Sequence, residues 1–374
     1  MAHAYTPGLK VVEHTVLTKH RRLPLPGEIL VSKGDKVSAE QVVARTNLPG
    51  NVQTLNVAGL LGILADEIEE AMLKKAGDKI EKDEVVAQSK GLFGLFKSQV
   101  KSPINGEIEN ISKITGQIIL REPPIPVEVI AYIEGEVIEI IKNEGVTIKA
   151  HGSFIQGIFG IGGETIGTLE MAVDDPDQIL TEKDIKESFK DKIIIGGSMV
   201  TCDVLEHARK IGVKGVVVGS IEDQDLKKFM GYDIGVAITG SEQVGLTLII
   251  TEGFGKMRMA DRTFNLLKSL SGKKSSINGA TQIRAGVMRP EVIVPLDKAP
   301  SKKSSDISRG SGLEIGTAVR IIREPHFGAI GKVMALPVEL AKIETEAKVR
   351  VLEVELDNKQ KVTLPRANVE IIEG

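Results

Sequence analysis

The stretch Gly152-Ser-Phe-Ile-Gln-Gly-Ile-Phe-Gly-Ile-Gly-Gly-Glu-Thr-Ile-Gly-Thr168 separates a strand-rich N-terminal part from a segment in which strands and helices alternate. The apolar residues between its glycines alternate as they do in a buried strand. Its six glycines allow positive φ and a close approach of the backbone to a ligand or a neighbouring strand. Gly160, Gly162, Gly163 and Glu164 are therefore candidate ligand-binding residues, although close strand packing explains the same glycines equally well.

An internal repeat dominates the N-terminal part. Residues 34–44, Gly-Asp-Lys-Val-Ser-Ala-Glu-Gln-Val-Val-Ala, recur at residues 77–87 as Gly-Asp-Lys-Ile-Glu-Lys-Asp-Glu-Val-Val-Ala, with six of eleven positions identical. Each copy predicts a strand, a Gly-Asp turn and a second strand. A sheet unit of this size cannot bury its apolar face alone, so we expect the two copies to pack on each other in one sandwich.

Three shorter features accompany the repeat. Apolar residues at helical spacing predict an amphipathic helix at residues 60–75. The basic cluster at residues 19–22 is interpreted as part of a solvated lead-in strand, because it lacks the interleaved aromatic residues of a nucleic-acid contact. The apolar loop at residues 91–96 is interpreted as filling a core. If it is exposed instead, Phe93 and Phe96 are partner-binding candidates.

Residues 174–295 alternate between short helical patterns and buried Val/Ile runs, which predicts a largely parallel sheet covered by helices. Ligands of such sheets bind beyond the carboxyl ends of the strands. Ordinary strand-to-helix loops need the same glycines and polar residues. The sequence is therefore equally consistent with a ligand pocket and with a purely structural role at these positions. The ligand-binding candidates at these positions are Gly196, Gly197, Ser198, Thr239, Glu242, Thr251, Glu252, Gly253, Asn278, Gln282 and Arg284.

The C-terminal part begins with a basic, Ser- and Gly-rich segment whose composition predicts a flexible linker. After it, short period-two segments separated by turn residues predict a small barrel. The predicted fold class is therefore a multidomain combination of α/β and β structure. Its predicted domains are a repeat-containing domain at 1–150, an α/β domain at 151–297, the linker at 298–312 and the barrel at 313–374.

Composition narrows the function classes. The 374 residues carry a net charge of −3 with 3% aromatic residues, which argues against a global polyanion partner and against extensive base stacking. One cysteine cannot hold an iron–sulfur cluster or a cysteine-based zinc ion, and the six histidines lack metal-ligand spacing, so no metal is expected. The chain shows neither a secretion signal nor an apolar run of membrane-spanning length, which predicts a cytoplasmic protein.

Two resemblances extend this interpretation of the N-terminal part. The repeat resembles the barrel-sandwich hybrid fold of biotinyl and lipoyl carrier domains, which RNA polymerase large subunits and a component of the Rnf electron-transport complex also use. Carrier domains place a modifiable lysine in a tight turn, whereas the matching turn at residues 102–107 has no lysine at its tip. Residues 157–164 are similar to the glycine loop of flavin-binding subunits of respiratory complexes and of the same Rnf component. That resemblance implies a flavin or a nucleotide at the loop amides.

This chain departs from the flavin-binding pattern in two ways. Thr165-Ile166-Gly167 replaces the Phe-Pro-Thr that usually follows the glycines, and the cysteine clusters of iron–sulfur centres are absent. No cofactor is therefore expected in the main hypothesis, and a flavin or nucleotide belongs to the alternative.

Residues 316–333 resemble a KOW motif in an SH3-like barrel, as in NusG-type transcription factors and some ribosomal proteins. The match is carried by the glycine, glycine and valine at positions 328, 331 and 333. Such modules bind RNA or protein, and the nearby glutamates favour protein as the partner. The resemblance makes Arg323, His326, Phe327 and Lys332 candidate partner-binding residues.

Three functional hypotheses follow. The first is a non-catalytic assembly or adaptor protein of a cytoplasmic complex, which binds protein partners and forms a homo-oligomer. One alternative is a flavin- or nucleotide-binding component of a redox complex that uses residues 160–164. Another alternative is a transcription- or translation-associated factor that binds RNA through the terminal barrel and the linker.

Overall fold

The computed structural model describes residues 9–89, 98–232, 244–281, 288–296, 313–321, 326, 329–342 and 348–371. Strands hold 47% of the residues and helices 15%, so hydrogen-bonded sheets rather than helix packing organise the chain. Several sheets and a curled half-barrel near the C-terminus are compatible with the predicted α/β plus β class. Among the described residues, no helix is long and apolar enough to cross a membrane.

The N-terminal strands fall into two groups that share one arrangement. In chain order the strands are β1 (Val11–Arg22), β2 (Glu28–Ile29), β3 (Lys36–Val37), β4 (Val42–Leu48), β5 (Val52–Asn56), β6 (Lys79–Ile80), β7 (Val85–Gln88), β8 (Gln99–Lys101), β9 (Gly106–Ser112), β10 (Gln117–Arg121), β11 (Ile125–Ile130), β12 (Gly135–Ile141) and β13 (Gly145–Gln156). We call β1–β4 together with β11–β13 the first copy, and β5–β10 the second copy.

Matching backbone hydrogen bonds show that the two copies are built alike. Each short strand after the Gly-Asp turn pairs with a downstream hairpin, β3 with β12–β13 and β6 with β9–β10. A register shift interrupts both hairpins at the same place. The equivalent bonds are Gly34 N–H to Val137 O and Gly77 N–H to Ile108 O, both 2.7 Å, and Ala131 N–H to Gln41 O and Ser102 N–H to Glu84 O, both 2.8 Å.

The second copy is inserted whole into the first. Strands β4 and β11 pair antiparallel, with Leu48 opposite Ile125, so the two ends of the insertion lie side by side. The Gly-Asp turns form as predicted, with Gly34 and Gly77 at φ of 93° and 89°. The repeat is therefore nested rather than tandem.

Each copy has its own core, so the expectation that the copies pack face to face in one sandwich is wrong. The first-copy core contains Val37, Val43, Ile133, Val137 and Ile148. The second-copy core contains Ile80, Val86, Ile108, Ile118 and Leu120. The physical reason is that each copy recruits a downstream hairpin, which covers the apolar face that the repeated segment alone would expose.

The predicted helix at residues 60–75 is broken. It is replaced by α1 (Val57–Leu61), a 3-10 turn at Ala65–Glu67 and α2 (Ile68–Ala71). Helix α1 ends because Gly62 adopts the left-handed conformation, at φ of 67°, and its N–H binds the carbonyl oxygen of Ala58. The apolar spacing identified the buried face only in part, since Leu61 and Ile68 lie in the second-copy core but Leu64 is 68% exposed.

The central part contains the predicted parallel sheet. Its elements are β14 (Phe159–Ile161), β15 (Glu164–Met171), β16 (Lys192–Ile195), β17 (Met199–Val200), α3 (Cys202–Ile211), β18 (Gly215–Ile221), α4 (Asp223–Met230), β19 (Thr247–Phe254), α5 (Asp261–Ser269), β20 (Lys274–Asn278) and β21 (Glu291–Pro295), with 3-10 turns at Glu182–Asp184 and Glu187–Phe189. Strands β15, β16, β18 and β19 are parallel neighbours in that order, whereas β20 and β21 of the same predicted segment are antiparallel to their neighbours, so the sheet is parallel only in part.

One continuous sheet joins this part to the first copy. Beyond β15, the sheet continues antiparallel through β20 and β21 to β13, and Ile293 of β21 packs in the first-copy core. The predicted domain boundary at residue 150 falls inside β13. The second copy has no strand in this sheet within the described part of the chain.

The C-terminal part is a curled half-barrel. Its elements are β22 (Ala318–Ile321), β23 (Ile330–Ala335), β24 (Leu340–Lys342), β25 (Lys348–Leu356), β26 (Lys361–Pro365), a 3-10 turn at Arg366–Asn368 and β27 (Val369–Ile371). Val319, Val333, Leu352 and Val354 form its core. Gly331 permits close strand packing, since a Cβ atom there would lie 2.6 Å from Cγ1 of Val354.

We expect residues 49–124, expressed alone, to fold, because the second copy has a complete core and its ends meet between β4 and β11. Circular dichroism during urea titration should give one cooperative unfolding transition. Ile118→Ala in the same fragment should lower the unfolding free energy by about 2–5 kcal/mol. A fragment without cooperative unfolding would show that the second copy depends on the rest of the chain.

Candidate functional site

The carboxyl edge of the parallel sheet brings several predicted residues together. Gly196 and Ser198 follow β16, and β19, which is separated from β16 by β18, carries Thr251, Glu252 and Gly253 near its end. We call this region the carboxyl edge. Asn278 lies at the opposite, amino edge, contrary to the sequence-based placement, because β20 runs antiparallel to β15 and pairs Asn278 with Glu164.

The glycines and serines after β16 hold a loop against the sheet. The hydroxyl of Ser198 donates to the carbonyl oxygen of Asp177 at 2.8 Å. At Gly197, a side chain would lie 2.6 Å from the carbonyl oxygen of Asp175. Ser220 donates in turn to the carbonyl oxygen of Ser198 at 2.8 Å. These residues therefore pack the segment 175–178 against the sheet.

A buried ionic network closes the rest of the carboxyl edge. Glu252 accepts a hydrogen bond from the backbone N–H of Ala260 at 3.0 Å and forms an ion pair with Arg320 of the half-barrel. Arg320 also binds Glu370, its cross-strand partner on β27, at 3.1 Å. Arg289 of the central part binds Glu370 at 2.8 Å. Two ion pairs thus connect the half-barrel to the central sheet, and both carboxylates face guanidinium groups.

A small cavity remains beside this network. Its volume is about 40 Å³, and Gln156, Thr251, Glu252 and Arg320 line it. The Nε atom of Arg320 is buried and has no hydrogen-bond partner among the described residues. A pocket for a nucleotide or a drug-sized ligand needs roughly 300 Å³ or more. The cavity therefore has room for a few water molecules but not for such a ligand.

The glycine loop lies at the amino edge, and most of its glycines serve strand packing. Gly160 belongs to β14, its N–H binds the hydroxyl of Thr281 at 2.8 Å, and a Cβ atom there would lie 2.7 Å from the carbonyl oxygen of Gly279. Gly162 and Gly163 adopt positive φ. Beside Gly162 is an open cavity of about 510 Å³, which Lys214 also lines.

Glu164 is held by an arginine that the sequence did not single out as a functional residue. The guanidinium of Arg21 binds the two carboxylate oxygens of Glu164 at 2.6 and 2.7 Å. Arg21 also stacks on the ring of Tyr132, with its Cζ atom 5.3 Å from the ring centroid. The interpretation of residues 19–22 as solvated is wrong for Arg21, because β1 pairs with β13 and carries this side chain into a partly buried site.

Tyr132 is the centre of this cluster. It is fully buried and adopts a left-handed conformation, at φ of 69°, which is strained for a residue with a large side chain. Its hydroxyl donates to Glu291 at 3.2 Å, and Lys19 binds the same carboxylate at 2.5 Å. Burial, followed by the carboxylates of Glu291 and Glu164, raises the pKa of Tyr132 well above its usual value. Lys19, Arg21 and Glu291 are each more than a hundred positions away from Tyr132 in sequence, so no local pattern marks this cluster.

The two copies of the repeat carry equivalent grooves. In the first copy, two adjoining cavities of about 290 and 510 Å³ share the lining residues Glu134, Pro295 and Leu296. In the second copy, one open groove of about 1020 Å³ lies at the corresponding place. The corresponding lining positions are 36–38 and 79–81, 134–136 and 105–107, and 149 and 121. The second-copy groove is thus larger than either of the first-copy cavities.

Several predicted residues lie apart from these sites. His326 is half-buried and Lys332 is exposed, both in the half-barrel segment. The candidates that lie outside the described residues are Thr239, Glu242, Gln282, Arg284, Arg323, Phe327, Phe93 and Phe96. Within the described residues, no group of three or more His, Cys, Asp or Glu side chains is arranged to hold a metal ion.

Comparison with known proteins assigns the chain to no established group. No model of a known protein family matches it, and no curated protein is similar enough to count as a relative.

Arg320→Ala should destabilise the protein strongly, because it leaves the buried carboxylates of Glu252 and Glu370 without their shared cation. Breaking a buried ion pair costs about 3–5 kcal/mol, whereas removal of an exposed pair costs about 0–1 kcal/mol. The matched control is Lys113→Ala, which removes the exposed pair with Glu69. Urea unfolding measures both variants, and equal losses of unfolding free energy would contradict the role of the network.

Tyr132→Phe should make the unfolding free energy less dependent on pH in the alkaline range. The folded-state pKa of Tyr132 is raised, so the unfolded chain loses this proton first and the unfolding free energy falls as pH rises past about 10. Below about pH 10, Tyr132 makes its full contribution to the unfolding free energy. Urea unfolding across roughly pH 9 to 11 should show a smaller slope for Tyr132→Phe than for Tyr232→Phe, an exposed control. Equal slopes would exclude Tyr132 as the source.

Proposed function

We propose that this chain is a non-catalytic assembly or adaptor protein that binds protein partners. The observation that carries the proposal is the closure of the carboxyl edge by the half-barrel through Glu252 and Arg320. In open α/β sheets this edge is the usual ligand site. Here the chain's own C-terminal module takes that place and leaves a cavity of about 40 Å³. The carboxyl edge, where a ligand would usually bind, therefore serves to join the half-barrel to the central sheet.

The fold of the separate modules supports the same proposal. We propose that the repeat copies are barrel-sandwich hybrid units and that the half-barrel is an SH3-like KOW module. The nested repeat, in which each copy has its own core, favours the first assignment. The close packing at Gly331 favours the second. Both module types serve mainly for binding, which fits an adaptor.

A flavin- or nucleotide-binding component of a redox complex is the second candidate. The cavity beside Gly162 supports it, since about 510 Å³ lies within the range of cofactor pockets and Lys214 supplies a positive charge for a phosphate. Flavin absorbance in the purified protein, lost in Lys214→Glu, would favour this candidate over the adaptor. Binding of RNA, the third candidate, would give an affinity that falls steeply with salt concentration.

Affinity capture of the full-length protein from cells of its source tests the adaptor proposal. We expect a defined complex in which one or more protein partners are present in stoichiometric amount, and light scattering should give a single mass for it. Arg320→Ala should weaken capture of partners that need the half-barrel in its docked position, whereas Lys113→Ala should not. Recovery of the chain without any protein, or with bound flavin and measurable turnover, would contradict the proposal.

A further inference from the structure

The small cavity beside the buried ionic network lies between the half-barrel and the central part. Arg320 and Ile371 line it from the half-barrel, and Thr251 and the start of α5 line it from the central part. Its volume of about 40 Å³ admits a particle the size of a water molecule. A group bound in this cavity would therefore contact both modules.

The Nε atom of Arg320 is a buried donor without an acceptor. The side chain is 4% exposed, and its Nη2 and Nη1 atoms bind Glu252 and Glu370. No described residue accepts a hydrogen bond from Nε, although Arg320 lines the cavity. A guanidinium group stays protonated in proteins, and leaving one of its donors unpaired in a buried place is unfavourable. An acceptor in the cavity would remove this penalty.

The first turn of α5 supplies further donors to the same cavity. Ala260, which precedes the helix, has no side-chain oxygen to accept the first helical N–H groups. Thr263 in the first turn lines the cavity, and its N–H has no acceptor within the helix. Gln156 also lines the cavity, and its Oε1 atom accepts from the N–H of Lys10 at 3.2 Å, which leaves the amide nitrogen to donate. The positive end of the helix dipole adds attraction for an anion.

The charges around the cavity are compatible with an anion. The carboxylates of Glu252 and Glu370 are matched by the guanidinium groups of Arg320 and Arg289. Arg262 is a further guanidinium-bearing residue of the cavity wall. Because both carboxylates are already engaged, they repel an anion less than unpaired carboxylates would. A cation would have to compete with the arginines for the same oxygens.

We propose that this cavity is a binding site for a single halide ion, with chloride as the natural ligand, held by Nε of Arg320 and by the first turn of α5. A halide ion only accepts hydrogen bonds, which suits a wall that offers donors, and it is close to a water molecule in size. Since its ligands come from both modules, bound chloride stabilises the docked position of the half-barrel. The inference does not rest on the adaptor proposal, because it concerns only this contact within the chain.

Urea unfolding at constant ionic strength tests the proposal, with sodium chloride replacing sodium gluconate, whose anion is too large for the cavity. We expect the unfolding midpoint to rise with chloride. Above the dissociation constant, each tenfold increase in chloride should add about 1.4 kcal/mol to the unfolding free energy. Gln156→Glu replaces an amide donor by a carboxylate of the same length and should abolish this response. Gln53→Glu makes the same charge change at an exposed position of β5 and should keep it.

Diffraction from crystals of the unaltered chain grown in sodium bromide locates the ion without any variant. Bromide scatters anomalously, and we expect an anomalous peak beside Nε of Arg320. An ordered water molecule there, without anomalous signal, would overturn the proposal. A peak without any chloride response in solution would mean an adventitious ion only and would also overturn it. Equal chloride responses of Gln156→Glu and Gln53→Glu would place the effect elsewhere in the molecule.

Discussion

The buried guanidinium of Arg320 is the contact on which the arrangement of the C-terminal half depends. It lies between Glu252 of the central sheet and Glu370 of the half-barrel, and Arg289 completes the network. A buried ionic network adds little net stability compared with apolar side chains of the same volume. Its effect is geometric, because each carboxylate must meet its guanidinium or remain unpaired. The network therefore favours the observed docked position of the half-barrel over positions that bury a similar apolar area but leave these charges unpaired.

A second constraint acts on the N-terminal half. Strand β13 pairs with β1, β12 and β21, so the first copy and the central part share a single sheet. The second copy has no such connection within the described residues and keeps a separate core. Two units of one design thus have different positions in the molecule: one is a structural edge of the main sheet, and the other is presented to solvent.

The sequence predicted local features well and long-range ones poorly. The repeated segment, the Gly-Asp turns and the parallel strands were recognisable because each depends on neighbouring residues. The nesting was not, although residues 104–116 match residues 133–145 at six of thirteen positions, because pairing between distant strands decides which hairpin each copy recruits. Glu252 was identified as a candidate, but its partner Arg320 is 68 positions away. Arg21 and Glu164 are 143 positions apart, and only the sheet brings them together.

The nested order of the strands has a consequence for synthesis on the ribosome. Strands β1–β4 emerge first, yet their partners β11–β13 follow only after residues 49–124, which form the second copy. At about 5–20 residues per second, this delay lasts roughly 4 to 15 seconds. During that time the inserted unit has all its own strands, whereas the nascent N-terminal strands expose unpaired edges. Cotranslational folding of the N-terminal part therefore proceeds from the inside outward, and the second copy is completed before the strands that precede it.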